Sequence, residues 1–330
     1  MADKLSVEQV KQLLLQNHSP LTIYEINEAL PERVAERTLR RWLANAVEQG
    51  QVIKIGEKRG TKYQVIRKKK PTDFQFLAGK SESQKTAILK QLRDLWTHTS
   101  TALEGNTLTL GDTHFLLEEG LTISGKPIRE HQEIIGHASA IELIYQAVGE
   151  PVIEQLFFDL HKAVQSEKMF DIDKPYGAWK VQPNGTYVVD KNNKQLYIEY
   201  AHPFYVPKLM NQVIDEINRF NQQAVTLENA HSVYAKIHAA IAHIHPFWDG
   251  NGRIARLAAN LPLLNAGLPP LIIANEKRRE YIQLLAQYEL AAGKLDSASG
   301  AWPDLTLLYD FNEFCLDNYQ STLNILKAFD

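Results

Sequence analysis

Cysteine is almost missing from this chain: Cys315 is the only one in 330 residues, so no intramolecular disulfide can form. No apolar stretch approaches the ~18 uncharged residues that a membrane span requires. The opening Met1-Ala2-Asp3-Lys4-Leu5 lacks the apolar core of a secretory signal. These absences set the expectation of a protein of the reducing cytoplasm with no membrane partner. There is no internal repeat and no low-complexity tract. What remains is 44% hydrophobic and 23% charged, the make-up of a globular protein with a sizeable core. At roughly 100–200 residues per domain the length suggests two domains.

Charge is unevenly placed. Residues 1–70 hold 14 Lys/Arg against 8 Asp/Glu, a net of +6; the whole chain carries −3, so the remainder carries −9. A small basic module joined to a larger acidic one points to nucleic-acid binding at the N-terminal side, or to a solvated positive face. Val7, Val10, Leu13 and Leu14 make a helical stripe over 6–16. A second helix is expected over 21–30 with Thr22 as N-cap, and a third over 32–49, stopped by Gly50, with Leu39, Leu43, Ala46 and Val47 as its apolar face. Val52–Ile55 and Tyr63–Ile66 alternate around Glu57-Lys58-Arg59-Gly60 and read as a hairpin. Arg67-Lys68-Lys69-Lys70-Pro71 reads as part of a basic linker over 67–83.

Three helices and a basic hairpin resemble a winged helix-turn-helix over 1–66. Its positive side chains would be Arg33, Arg37, Arg40 and Arg41 on or beside the third helix and Lys58, Arg59 and Lys62 on the wing. Phosphate contact needs such charges, and the resemblance implies DNA binding through Arg37, Arg40, Arg41, Lys58 and Arg59. Winged helices also dock proteins, and that reading stands beside it.

Residues 84–330 show helical apolar spacing over 84–99, 137–148, 151–166, 208–221, 228–244, 253–265, 276–291 and 305–327. Pro262 interrupts one of these. The exception is 180–200, where Tyr187–Val189 and Leu196–Tyr200 flank Asp190-Lys191-Asn192-Asn193 as a β-hairpin.

The most informative stretch is His245-Pro246-Phe247-Trp248-Asp249-Gly250-Asn251-Gly252-Arg253-Ile254-Ala255-Arg256. It ends one apolar helix and opens another. Pro246 forces a loop, and the two glycines let backbone N–H groups approach an anion. The unpaired N–H groups of the next helix point to the same place. Arg253 and Arg256, three apart, share a side of that helix. Asp249 suits Mg²⁺ beside a phosphate, and His245 is placed to accept a proton near neutral pH. Together these parts describe a nucleotide-phosphate site with a metal and a base. A metal hydrolase built on His243, His245 and Asp249 is a weaker alternative, because His243 and His245 are two apart on a helix and point in different directions.

The same twelve residues match the Fic-domain signature HPFx[D/E]GN[G/K]RxxR at every fixed position. The resemblance, covering about 90–290, implies a mainly α fold: a helical Fic domain with the 180–200 hairpin as a flap, preceded by the small α+β winged-helix domain. It implies an adenylyltransferase moving AMP from ATP to a Tyr, Thr or Ser hydroxyl of a target protein or of the chain itself. On this reading His245 deprotonates the hydroxyl, and Asp249 holds Mg²⁺. Gly250, Asn251 and Gly252 form the anion hole, Arg253 and Arg256 hold the β and γ phosphates, and Phe247 packs into the core. Tyr281 is a further candidate for the base pocket. Upstream, Ser100-Thr101-Ala102-Leu103-Glu104-Gly105 matches the family's inhibitory pattern [S/T]xxxE[G/N], which implies an inhibitory helix near 90–105 and a Glu104–Arg256 pair. The alternatives left open are a DNA-binding regulator whose Fic domain senses nucleotide, transfer of another nucleotide group, and removal of AMP. A homodimer is also left open.

Overall fold

Thr22 starts a helix because its side chain can replace the hydrogen bond that the first turn lacks. Its Oγ1 accepts from the Glu25 N–H while the Glu25 carboxylate accepts from the Thr22 N–H, a reciprocal cap on α1 (Ile23–Ala29). This computed structural model describes residues 9–327 apart from 11–12, 15–19, 32, 49–51, 57–60, 66–72, 166–170 and 190–193. The chain divides into two units, Met1–Lys68 and Lys69–Asp330.

In the first unit, residues 9–10 and 13–14 are helical, with Val10 and Leu14 buried. The expected third helix begins later than its apolar pattern suggested, as α2 (Glu36–Glu48). The Asn27 side chain holds Val34 by both its N–H and its carbonyl at 2.9 and 3.0 Å, which keeps Arg33–Ala35 out of the helix. Besides Leu39, Leu43 and Ala46, α2 buries Trp42, while Val47 is only half-buried. Strands β1 (Leu21–Thr22), β2 (Val52–Ile55) and β3 (Lys62–Val65) form an antiparallel sheet in the order β1-β3-β2. The sheet and helices close over Ile26, Leu39, Leu43, Val52 and Tyr63.

The second unit begins before the expected boundary. Phe74 and Leu77, inside the stretch assigned to the linker, lie in its core, and the Phe76 N–H donates to the Gly267 carbonyl at 3.1 Å. Its helices are α3 (Glu82–Ala102), α4 (Leu110–Glu119), α5 (Ile128–Ala147), α6 (Glu154–Val164), α7 (Val206–Phe220), α8 (Ala230–Ile244), α9 (Asn251–Ala258), α10 (Leu261–Asn265), α11 (Arg278–Ala292) and α12 (Tyr309–Lys327). Helix α8 is rich in Ala, Ile and Val and is buried along most of its length, packed by α7, α9 and α12. The expected 253–265 helix is two helices: the chain breaks at Ala259-Asn260, just ahead of Pro262. Helix α4 was not anticipated, since its apolar residues, Leu110, Phe115, Leu116 and Leu117, do not recur at a helical spacing and it carries Gly111; the Thr109–Asp112 capping box starts it. Strands β4 (Gly185–Val189) and β5 (Gln195–Glu199) pair antiparallel, with Tyr187 opposite Tyr197. The turn expected at 190–193 lies outside the described residues.

Candidate active site

The loop between α8 and α9 is shaped by its backbone. His245 ends α8 in the left-handed region, with φ 52° and ψ 59°, and is the one non-glycine residue with positive φ among the described residues. Gly250 follows with φ 79°, a conformation that side-chain-bearing residues seldom adopt. Asn251 pins the loop: its side chain donates to the Phe247 carbonyl at 2.9 Å and accepts the Phe247 N–H at 2.8 Å. Its contribution to an anion hole is thus left to its main-chain N–H at the first turn of α9. Phe247 is fully buried, as expected, and stacks on His161 with ring centroids 4.3 Å apart.

His245 is half-buried under the end of the hairpin, where Tyr200 stacks on its ring at 3.7 Å with an interplanar angle of 4°. The ring Nδ1 lies 3.2 Å from the Ala242 carbonyl, which places the proton on Nδ1 and leaves the Nε2 lone pair as the acceptor. Burial, followed by the nearby Lys180 charge, pushes the pKa of this ring down to about 3, so the ring is neutral at physiological pH. Lys180 was not anticipated as a site residue. It is buried, its amine is pushed down to about 7 by burial, and it carries no motif that sequence inspection could have used.

The two arginines diverge rather than converge. Arg253 Nη1 donates to the Val164 carbonyl at 2.8 Å and Nη2 lies 3.5 Å from Asp249. Its Nε is buried with no hydrogen-bond partner, an orphaned cationic donor beside the loop. Arg256 is fully engaged elsewhere. Nε donates to Ser100 Oγ at 2.9 Å and Nη2 to the Ser100 carbonyl at 2.9 Å; Nη2 also donates to Glu104 Oε1 at 2.6 Å, and Nη1 to the Tyr281 hydroxyl at 3.0 Å. Tyr281, the candidate for the base pocket, is buried with its hydroxyl between Arg256 and His238. Ser100 and Glu104 thus meet Arg256 as the inhibitory pattern implies. Burial alone would raise the Glu104 carboxyl, but the Arg256 charge, the Arg256 hydrogen bond and the Arg253 charge together outweigh it and the pKa ends below its ordinary 4.5. A Cβ on Gly252 would stand 2.6 Å from Glu104 Oε1 and 3.0 Å from Arg256 Nη1. The Glu104 carboxylate therefore rests against the glycine loop, where an anion would dock.

No cluster of three His, Cys, Asp or Glu side chains suited to a metal exists among the described residues. His243 packs edge-on against Tyr288 while His245 stacks on Tyr200, so the His243–His245–Asp249 hydrolase reading is not supported. Asp249 presents one exposed carboxylate near the glycine loop. One carboxylate fits Mg²⁺, which keeps several waters and takes other oxygens from substrate phosphates. Arg37, Arg40 and Arg41 are exposed on α2, where Arg40 is hydrogen-bonded to Glu36. Lys58 and Arg59 lie outside the described residues.

Residues 151–263 match the Fic/DOC family model, and this segment is a Fic domain. Over 204 residues the chain is 32% identical to protein adenylyltransferase fic-1 of Caenorhabditis elegans, covering 59% of this chain and 37% of that one. Over 195 residues it is 30% identical to protein adenylyltransferase Fic of Nematostella vectensis, covering 57% and 41%. The chain therefore spans about two fifths of the length of these curated relatives. A Fic-domain-containing signalling protein from Bacteroides thetaiotaomicron superposes with a TM-score of 0.65 at 27% identity, over 76% of this chain and 92% of that one. C. elegans Fic-1 superposes with a TM-score of 0.57 at 26% identity, over 77% and 69%. No described helix is long and apolar enough to cross a membrane.

Proposed function

We propose that the chain is a protein adenylyltransferase that transfers AMP from ATP to a hydroxyl side chain, and that Glu104 restrains it. The observation that carries this is the orientation of His245: an imidazole with Nδ1 directed at the Ala242 carbonyl and Nε2 left to accept, one turn of loop from the N-terminus of α9. In the reaction, the target oxygen attacks the α-phosphorus and its proton passes to His245 Nε2. The bond from that phosphorus to the β-bridging oxygen breaks, and pyrophosphate leaves. Main-chain N–H groups of Gly250, Asn251 and Gly252 and the orphaned Arg253 Nε are suited to the phosphates. Asp249 would hold Mg²⁺, which when bound supplies charge compensation for the leaving group. The hairpin over 185–199 would border the target hydroxyl, with Tyr200 steadying the base.

Arg256 cannot grip a phosphate while Ser100, Glu104 and Tyr281 hold it, and the Glu104 charge against Gly252 repels an anion there. Removing Glu104 frees both positions. The test is label transfer from α-labelled ATP in a Glu104→Gly background. There His245→Ala should abolish transfer and leave ATP affinity within a few-fold. Retained transfer in that variant removes His245 as the base.

Residues 1–66 are proposed as a winged helix-turn-helix that holds the chain on DNA, supported by Arg37, Arg40 and Arg41 on one exposed helix. A mobility shift with the full chain should weaken uniformly across sequences in Arg37→Ala/Arg41→Ala, with a shallower salt dependence. No shift with any duplex leaves protein docking as the role of this unit.

A further inference from the structure

We propose that Lys180 is a positioning residue for His245: it ties the root of the hairpin to the loop that carries the imidazole and holds a positive charge against that ring. The inference rests on the reading of His245 as the transfer base.

Lys180 precedes β4 by five residues, and its side chain is 2% exposed. Nζ donates to Asn184 Oδ1 at 2.6 Å and to the Ile244 carbonyl at 3.3 Å. The Lys180 main-chain N–H donates to the Pro246 carbonyl at 2.9 Å, and Asn184 Nδ2 donates to the Phe247 carbonyl at 3.1 Å. The carbonyls on both sides of His245 are therefore held by one short segment. The same Nζ lies 5.8 Å from the centre of the Tyr200 ring, and that ring lies flat on the imidazole. The Lys180 side chain is thus one of the ties that join the hairpin root to the loop orienting His245, and it braces Asn184, which makes another.

A neutral residue could make such ties at less cost. Nζ has only neutral oxygens as acceptors, and a buried ammonium without an ion partner is expensive. Glu199, the carboxylate that acts on it, is already bonded to Lys294 at 2.7 Å. What the charge adds is opposition to a protonated imidazole. The groups facing His245 are Lys180 from the segment before β4, Glu104 from the end of α3, His243 from α8 and the Tyr200 ring after β5; those facing Lys180 are Glu199, Tyr200 and His245. Glu104 favours imidazolium and Lys180 opposes it. Burial is the larger cause of the neutral ring and the Lys180 charge adds to it, in the closed form and in the open form where the ring must accept a proton. The amine carries its charge below about pH 7.

The test uses the full chain and reads the His245 ring directly by ¹⁵N NMR in wild type, Lys180→Met, Lys180→Arg and Asn184→Ala. Wild type should hold the neutral Nδ1–H form between about pH 5 and 8. Lys180→Met should titrate higher by about half a pH unit or more and mix tautomers, and Lys180→Arg should restore the wild-type behaviour. In the Glu104→Gly background, Lys180→Met should lower kcat several-fold with KM for ATP little changed, and should raise the acid limb of the rate profile. If Lys180→Met does not fold, Asn184→Ala, which removes the amine's nearest acceptor, should move the ring in the same direction. Wild-type titration and tautomer in Lys180→Met, or in Asn184→Ala where the former is unfolded, overturn the proposal. A chain that transfers nothing in any background instead sinks the adenylyltransferase reading, and the ring titration still decides the role of Lys180.

Discussion

Glu104 and Arg256 meet at 2.6 Å, with the arginine almost fully buried and the carboxylate seated on Gly252 at the start of another helix. A carboxylate two residues past α3 thereby rests on a glycine in the first turn of α9. If that closed form outweighs the open one, Glu104→Gly should raise transfer from ATP on the order of 100-fold, equal to about 2.7 kcal/mol of bias. Equal incorporation of label by variant and wild type would show that the pair does not govern activity.

Gly252→Ala offers a second route to the same contact. Its Cβ would collide with the tips of Glu104 and Arg256, not with backbone, so the carboxylate must swing away. The expected cost is about 1 kcal/mol in urea unfolding, lost when Glu104 is already glycine. A cost that is identical in both backgrounds would mean that the two sites are uncoupled.

Glu289 is buried, and burial raises its carboxyl from 4.5 to about 8. Folded protein then keeps a proton that the unfolded chain gives up. Stability from this group is full below pH 4.5 and falls as pH climbs through 8, at no more than about 1.4 kcal/mol per pH unit. Glu289→Gln should gain on wild type steadily between these limits. Parallel stability curves for the two proteins over that range would place the carboxyl in a solvated site.

Thr22→Ala should open α1. The lost cap is worth about 1 kcal/mol, so amide exchange in the first turn of α1 should quicken about fivefold. Exchange at Glu25 that stays at the wild-type rate would argue that the sheet, rather than the cap, holds this helix.

Legibility in the sequence followed the range of the interactions. Thr22 was readable as a cap because its partner is three residues away. The twelve-residue motif was readable because its glycines, proline and asparagine act locally. Helix α4 was not, because its apolar residues follow no helical spacing and its capping box was the only strong local sign. The late start of α2 depends on Asn27 reaching forward to Val34, which no periodicity encodes. Lys180 and Tyr200 became visible only when the hairpin was placed over α8, some sixty residues away in sequence from one and over forty from the other. The direction of Arg253 toward Val164 is likewise a tertiary choice that helical spacing leaves undetermined.

The left-handed backbone at His245 limits how that position can be probed or drift over evolutionary time. Alanine there keeps the unfavourable dihedral without any side chain that compensates, at roughly 1–2 kcal/mol, while asparagine tolerates it far better. An inactive form meant to trap bound nucleotide is therefore better made as His245→Asn than as alanine, and β-branched replacements at this position should be the least compatible with a folded loop.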